Sequence, residues 1–202
     1  MAELKFVEKG HLYFIDSKPV PSVTDICSLL TAQGRAKLNP CVIAAAARRG
    51  TLVHEFTELL DYGVEPEDME MPSDIAPYIL AYQRFLRDYK PQWTAVEKQV
   101  FDEQIGLAGT LDRKGILESS PCILDIKTSS APTRELKIAW VAQLSGYRLL
   151  QKNAALERYN LQLRGNGTYR LFNARDLEQQ YRFDGLRLFR QCLEIHRILK
   201  GD

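Results

Sequence analysis

The stretch that decides the reading of this chain is IGLAGTLDRKGILESSPCILDIKTSS, residues 105–130. Its two apolar runs, IGLAGTLDRKGIL and CILDIKTSS, read as consecutive strands joined by a short turn near residues 116–121. The second run carries Cys122, Ile123 and Leu124, then at once Asp125 and Lys127 with only Ile126 between them. Burying a single charge is costly, and a core strand rarely carries two without a reason. Strand alternation sends Asp125 and Lys127 to one face and Ile126 to the other. In the first run the same rule places Gly106, Ala108, Thr110 and Asp112 on one face. Three of those four are small, which leaves room above the sheet for a ligand. If the two strands pair through the turn, Asp112 and Asp125 converge at one sheet edge. Two carboxylates and a peptide carbonyl, such as that of Ile126, suit a hard cation like Mg²⁺ or Mn²⁺. Lys127 would then stand beside a bound water and a phosphoryl oxygen, able to orient one and neutralise the other. Taken alone, D-x-K is a common tripeptide, and its simplest reading is a surface ion pair at a strand end.

Outward from this stretch, WTAVEKQVFDE from residue 93 reads as a strand preceding the other two. Residues 4–15 alternate around Lys9-Gly10 and read as a hairpin, and PSVTDICSLL reads as a helix start with Ser22 as N-cap and Asp25 three residues on. Helices are expected over 41–60, 74–89 and 133–151, and one long amphipathic helix over 175–199. The segment 61–76 holds six acids and no base, which marks a surface loop. RYNLQLR-GNG-TYRLFN, with its Gly-Asn-Gly turn, is a second hairpin. This order gives an α/β fold with a central mixed β-sheet flanked by helices and an N-terminal β-hairpin. We read 1–202 as a single domain: hairpin 1–20, core 41–151, and hairpin with C-terminal helix 158–202.

Composition narrows the class. At 202 residues, with 45% hydrophobic and 26% charged, the chain is an ordinary globular one. The formal net charge of +1 gives no bulk argument for nucleic acid, so only the placement of charges can make one. No run is long enough to span a membrane, and residues 1–20 lack a signal-peptide core. Cys27, Cys41, Cys122 and Cys192 form no C-x-x-C, which argues against zinc ribbons and clustered iron–sulfur ligation and fits reduced thiols. A cytoplasmic location, in a bacterial or phage-infected cell, is the expectation.

The helix over 41–60 bears on the acid–base pair. Its core face would be Val42, Ala45, Leu52, Phe56 and Leu59, and a neighbouring face carries Ala47, Gly50, Thr51, His54 and Glu58. A mid-helix glycine costs about 1 kcal/mol against alanine, which a close approach by another backbone would explain at Gly50. A lone histidine is most often a hydrogen-bonded structural one. As a neutral imidazole, His54 can complete the sphere of a metal already held by two aspartates.

Four motifs then stand in order: Gly50/His54 in RRGTLVHEF, Gly109/Asp112 in GTLDRKGIL, Asp125/Lys127 in ILDIKTS, and Gln143/Tyr147 in AQLSGYRLL. Together they resemble the RecB-like branch of the PD-(D/E)XK nucleases over roughly residues 19–151. VPSVTDI adds a likeness to phage exonucleases and the mitochondrial genome-maintenance exonuclease of that superfamily. The resemblance implies a restriction-endonuclease-like core and a Mg²⁺- or Mn²⁺-dependent deoxyribonuclease, an exonuclease of phage or bacterial recombination or repair. A structure-specific endonuclease and a non-catalytic DNA-binding module are the alternatives. It implies that His54, Asp112, Asp125 and the Ile126 carbonyl bind the metal, with Lys127 as catalytic lysine. Gln143 and Tyr147 would contact the phosphate backbone or brace Lys127. Trp140 nearby is best read as core packing. Glu97 and Glu58 are possible further ligands or outer-sphere groups, and Glu97 reads equally well as a solvated strand residue. No distal cysteine trio is present, so no iron–sulfur cluster is expected. No fused helicase is expected, so processivity would come from a homo-oligomer, a recombination partner protein or threading of DNA.

Phosphate contacts can be placed only locally. Residues 158–202 hold nine Lys/Arg against five Asp/Glu, with Arg164 and Arg170 flanking the Gly-Asn-Gly turn. Arg48 and Arg49 precede His54, and Arg35 and Lys37 lie before that helix. These could line a groove for single-stranded DNA or DNA with free ends. For the last helix, solvated arginines opposite an apolar face are the plainer reading. Ser22 is a cap by default, and a phosphate cradle is the alternative.

Overall fold

Two sheets organise the chain in the computed structural model, which describes residues 2–31, 39–129 and 138–201. Arg35, Lys37 and the expected start of the helix at 133 lie outside the described residues. The first sheet is antiparallel: β1 (Leu4–Val7), β2 (Leu12–Ile15) and β3 (Lys18–Val20). The expected hairpin therefore gains a third strand. Asp16 and Ser17 make the extra turn, both at positive φ (47° and 66°), the twist a two-residue hairpin loop needs.

The second sheet runs β4 (Gln92–Asp102), β5 (Leu107–Leu117), β6 (Ser120–Ser129), β7 (Glu157–Arg164), β8 (Tyr169–Asn173) in spatial order. Only the β6–β7 pair is parallel, so the sheet is mixed. The helices are α1 (Val23–Ser28), α2 (Pro40–Asp61), α3 (Ala76–Tyr89), α4 (Ile138–Leu150), α5 (Ala174–Tyr181) and α6 (Gly185–Lys200). A parallel pair needs a crossover, and α4 supplies it. One core packs α1, α4 and α6 on the sheet through Ile26, Leu107, Leu111, Ile123, Leu144 and Phe189. The other packs α2 and α3 through Val53, Ile79, Phe85, Leu124, Ile126 and Leu161. Strand β6 feeds both, Ile123 to one side and Leu124 and Ile126 to the other, which is why its sequence is a continuous apolar run. Each such side chain, fully buried, contributes about 1.5–3 kcal/mol.

Four expectations need correction. Helix α2 does not bury Val42, Ala45 and Leu59; those are exposed, and the fully buried residues are Val53 and Thr57, with Leu52, Phe56 and Leu60 half-buried. Its inward face is turned so that two polar residues, Thr57 and Asp61, point into the protein against Arg113. Asp61, expected in the acidic surface loop, is thus a buried helix end. The last helix is two: Arg182 at φ +53° closes α5, and Asp184 caps α6 by accepting from the Leu186 and Arg187 N–H groups at 2.8 and 3.0 Å. At Gly50 no backbone among the described residues approaches: a Cβ built there meets none of their atoms within 4 Å.

Candidate metal centre

The site begins where a ladder stops. The β5–β6 register runs from Leu117↔Ser120 to Arg113↔Leu124 and goes no further. Beyond it the strands part, and the Asp112 carboxylate takes the place of a backbone carbonyl, its Oδ2 accepting from the Ile126 N–H at 2.6 Å. Strict alternation also fails here. Leu111 packs in the α4-side core, yet Arg113, two residues on, reaches α2 and α3 on the other side. Across β4, Val96↔Arg113 and Lys98↔Leu111 leave Glu97 opposite Asp112, and Glu97 holds a left-handed φ of 43°. Both strands are distorted at the same point, a pattern that concentrates at functional sites.

His54 enters from α2. Its Nδ1 lies 3.0 Å from Glu97 Oε1 and 3.8 Å from Asp112 Oδ2, and its Nε2 lies 3.3 Å from the Ile126 carbonyl oxygen. One ligand atom each from His54, Glu97 and Asp112 falls within a mutual 4.8 Å. Burial works against a charged imidazole, but the Asp112 and Glu97 carboxylates outweigh it and push the His54 pKa up to about 9. Burial raises Asp112 to about 7, partly offset by His54, with Asp125 and Glu97 adding to the rise. Burial would also raise Glu97, but His54 and Arg113 hold it below the ordinary value. Two carboxylates crowd one buried point here, and a protonated imidazole compensates them. A borderline nitrogen and carboxylate oxygens, with a peptide carbonyl beside them, form a donor set able to hold a divalent cation.

Asp125 lies outside that 4.8 Å group. It is 1% exposed and accepts from Lys127 Nζ at 2.9–3.0 Å and from Asn160 Nδ2 at 3.0 Å. Lys127 Nζ also donates to Gln143 Oε1 at 2.9 Å. Burial alone would lower the Lys127 pKa; Asp125 and Asp112 override it and keep the amine more basic than usual. Gln143 in turn donates through Nε2 to Thr24 Oγ1 at 3.3 Å, and Tyr147 lies beside Gln143 and Thr24. Tyr147 is buried, so of its two expected roles the geometry fits bracing, through Gln143 to Lys127. The motif glycine follows from this: a Cβ at Gly109 would sit 2.9 Å from Tyr147 Cε1.

No protein-family model matches the chain, and no curated protein matches it. Among solved structures it is similar to "Crystal structure of SSO0001", at 12% identity and a TM-score of 0.43, over 87% of this chain and 75% of that one.

The remaining expected residues stand apart from the centre. Ser22 is a cap: its hydroxyl accepts from the Asp25 N–H at 3.0 Å, and Asp25 Oδ2 accepts from the Ser22 N–H and hydroxyl at 2.9 and 2.8 Å. Ser22 and Asp25 thus form a capping box at that helix end. Arg48 pairs with Asp74 at 3.2 Å, and Arg49 lies over the Tyr78 ring at 5.8 Å, so both are engaged on the α3 side. Glu58 has no place in the ligand group, and Trp140 packs against the α4-side core, as expected. No helix among the described residues is long and apolar enough to cross a membrane.

Sequence reasoning missed Arg113, Asn160 and Tyr13. Arg113 is wholly buried at the centre's back; Asn160 sits beside Asp125 in the parallel ladder. Tyr13 of the N-terminal sheet shares a 2.8 Å hydrogen bond with Thr110, two residues before Asp112. The available signal was Arg113 itself, a strand arginine directly following a candidate ligand.

Proposed function

We propose that the chain is a metal-dependent deoxyribonuclease, hydrolysing DNA phosphodiester bonds from free ends. The observation that carries this is the convergence of His54, Glu97 and Asp112 around the Ile126 peptide, with a braced Lys127 on the same strand. His54, Glu97, Asp112 and the Ile126 carbonyl would hold Mg²⁺ or Mn²⁺, with Asp125 one residue away. A bound divalent cation there would supply Lewis acidity, acidifying a water and drawing charge from a phosphoryl oxygen.

The protein's own part is positioning and charge. Lys127, held basic by Asp125 and Asp112, stays protonated at neutral pH, so it serves as a fixed cation toward the phosphate and not as a base. Gln143 fixes the ammonium from the α4 side, and Thr24 fixes Gln143. Asp112 ties its own orientation to the Ile126 peptide through one hydrogen bond. Attack of water in line with the leaving oxygen forms one P–O bond as the other breaks; the attacking water gives up a proton to solvent, and the departing alkoxide takes one from it. The proposed ends-first action rests on the sequence resemblance and is kept separate in the test. End-labelled single- and double-stranded DNA and a covalently closed circle are incubated with protein and Mg²⁺ or Mn²⁺. Nucleotide release from linear DNA, lost with chelator and in Lys127→Met, is expected. Cutting of the circle would replace the exonuclease with an endonuclease, and DNA binding without cleavage under either metal would leave only a binding module.

A further inference from the structure

We infer that Arg113 is the positioning residue of this centre, fixing Glu97 in the ligand group and acting through Glu97 without touching metal or DNA. The inference rests on the reading of the cluster as a metal site. Arg113 is 0% exposed, and all three of its guanidinium nitrogens are committed. Nε donates to Asp61 Oδ2 at 2.5 Å, NH2 to Thr57 Oγ1 at 3.0 Å, and NH1 to both Glu97 Oε1 at 2.9 Å and the Asp112 carbonyl at 2.8 Å. Asp61 and Thr57 lie on α2 with His54, Glu97 lies on β4, and Asp112 lies on β5. A single planar group therefore registers the three elements that supply the three ligand-competent side chains.

A guanidinium balanced by Asp61 alone would hold helix to sheet without any help from Glu97. The reach to Glu97 needs a separate explanation, and two features give it. Glu97 Oε1 accepts from Arg113 and faces His54 Nδ1 at once, so the guanidinium and the imidazole fix one oxygen between them. Glu97 also sits at φ +43°, a conformation that is costly for a residue with a side chain and persists where surroundings impose it. Tyr82 anchors the network from behind, donating to both Asp61 oxygens at 3.0 and 2.7 Å. Lysine cannot reproduce this fork: it has one point of charge and would serve Asp61 or Glu97, not both.

The test is a double-mutant cycle on Mn²⁺ affinity, measured by titration calorimetry on wild type, Arg113→Lys, Glu97→Gln and the double variant. Outer groups that orient ligands are worth about 10–100-fold in metal affinity, so Arg113→Lys should weaken Mn²⁺ by that order. In the Glu97→Gln background the same change should have little further effect. Tyr82→Phe, which loosens the anchor but leaves Glu97 its partner, should lower the melting temperature and leave Mn²⁺ affinity within about 3-fold of wild type. Equal weakening by Arg113→Lys in both backgrounds, or none in either, overturns the inference while leaving the metal site intact. If Arg113→Lys does not fold, Asp61→Asn replaces it in the same cycle with the same expectations. A wild-type protein that binds no Mn²⁺ refutes the metal-site reading, and the inference falls with it.

Discussion

Replacing Asp112 by asparagine should make the metal-free protein more stable while removing its response to metal. Asp112 is buried and its pKa stands at about 7 against an ordinary 3.8. A carboxyl whose folded pKa is raised binds its proton more tightly in the folded state. Its ionisation therefore opposes folding increasingly as pH climbs from about 4 to about 7, and by a constant amount above that. A gap of about 3 pH units at 1.36 kcal/mol each sets an upper limit of about 4 kcal/mol. The attraction of His54 for the carboxylate is lost in the variant, and water relaxes the buried charge, so about 1–3 kcal/mol is the expected gain. Asparagine keeps an acceptor for the Ile126 N–H, so that hydrogen bond survives. For a domain of this size each kcal/mol moves the melting temperature by about 2–4 °C. Thermal unfolding in chelator at pH 8 should thus show Asp112→Asn melting about 2–12 °C above wild type, with the difference vanishing near pH 4. Added Mn²⁺ should raise the wild-type midpoint and leave the variant unmoved. A variant that melts lower in chelator at pH 8, or still responds to Mn²⁺, would refute the reasoning.

Mn²⁺ affinity of the wild type should rise with pH, approaching tenfold per pH unit below about 9, because the cation must displace the proton that His54 holds up to about that pH; calorimetry at pH 6.5, 7.5 and 8.5 checks it, and a flat profile contradicts it. Gly109→Ala should cost about 1–3 kcal/mol in urea unfolding, since its Cβ meets the buried Tyr147 ring at 2.9 Å. Gly50→Ala, whose Cβ meets nothing, should stabilise α2 by about 0.5–1 kcal/mol in the same assay. Lys127→Met should abolish cleavage while Mn²⁺ still raises the melting temperature, because the ammonium reaches Asp125 and Gln143 and lies outside the ligand group.

The parts of the fold that obey local rules were legible in the sequence. Strands β4 to β6 followed from alternation and turn spacing, and the Ser22–Asp25 capping box was read residue for residue. The positions of His54, Asp112, Lys127 and Gln143 near one another followed from ordered motifs. What stayed hidden depends on contacts distant in sequence. The inward face of α2 is set by Thr57 and Asp61 meeting Arg113, 56 and 52 residues away, and hydrophobic periodicity has no means of registering a buried polar stripe. Glu97 could be a ligand or a solvated residue until its positive φ and its place opposite Asp112 were seen. Asn160 touches Asp125 only because β7 lies parallel to β6 after a crossover. The break between α5 and α6, by contrast, was readable: Asp184-Gly185 is a cap followed by a breaker, and apolar periodicity on both sides obscured it.

The proposed function stands or falls on whether His54, Glu97 and Asp112 hold a metal ion. Anomalous scattering from crystals soaked in Mn²⁺ at pH 8 tests it most directly. A manganese peak is expected among the His54 imidazole, the Glu97 and Asp112 carboxylates and the Ile126 carbonyl. A peak elsewhere on the protein, or none at this position at saturating Mn²⁺, would contradict it.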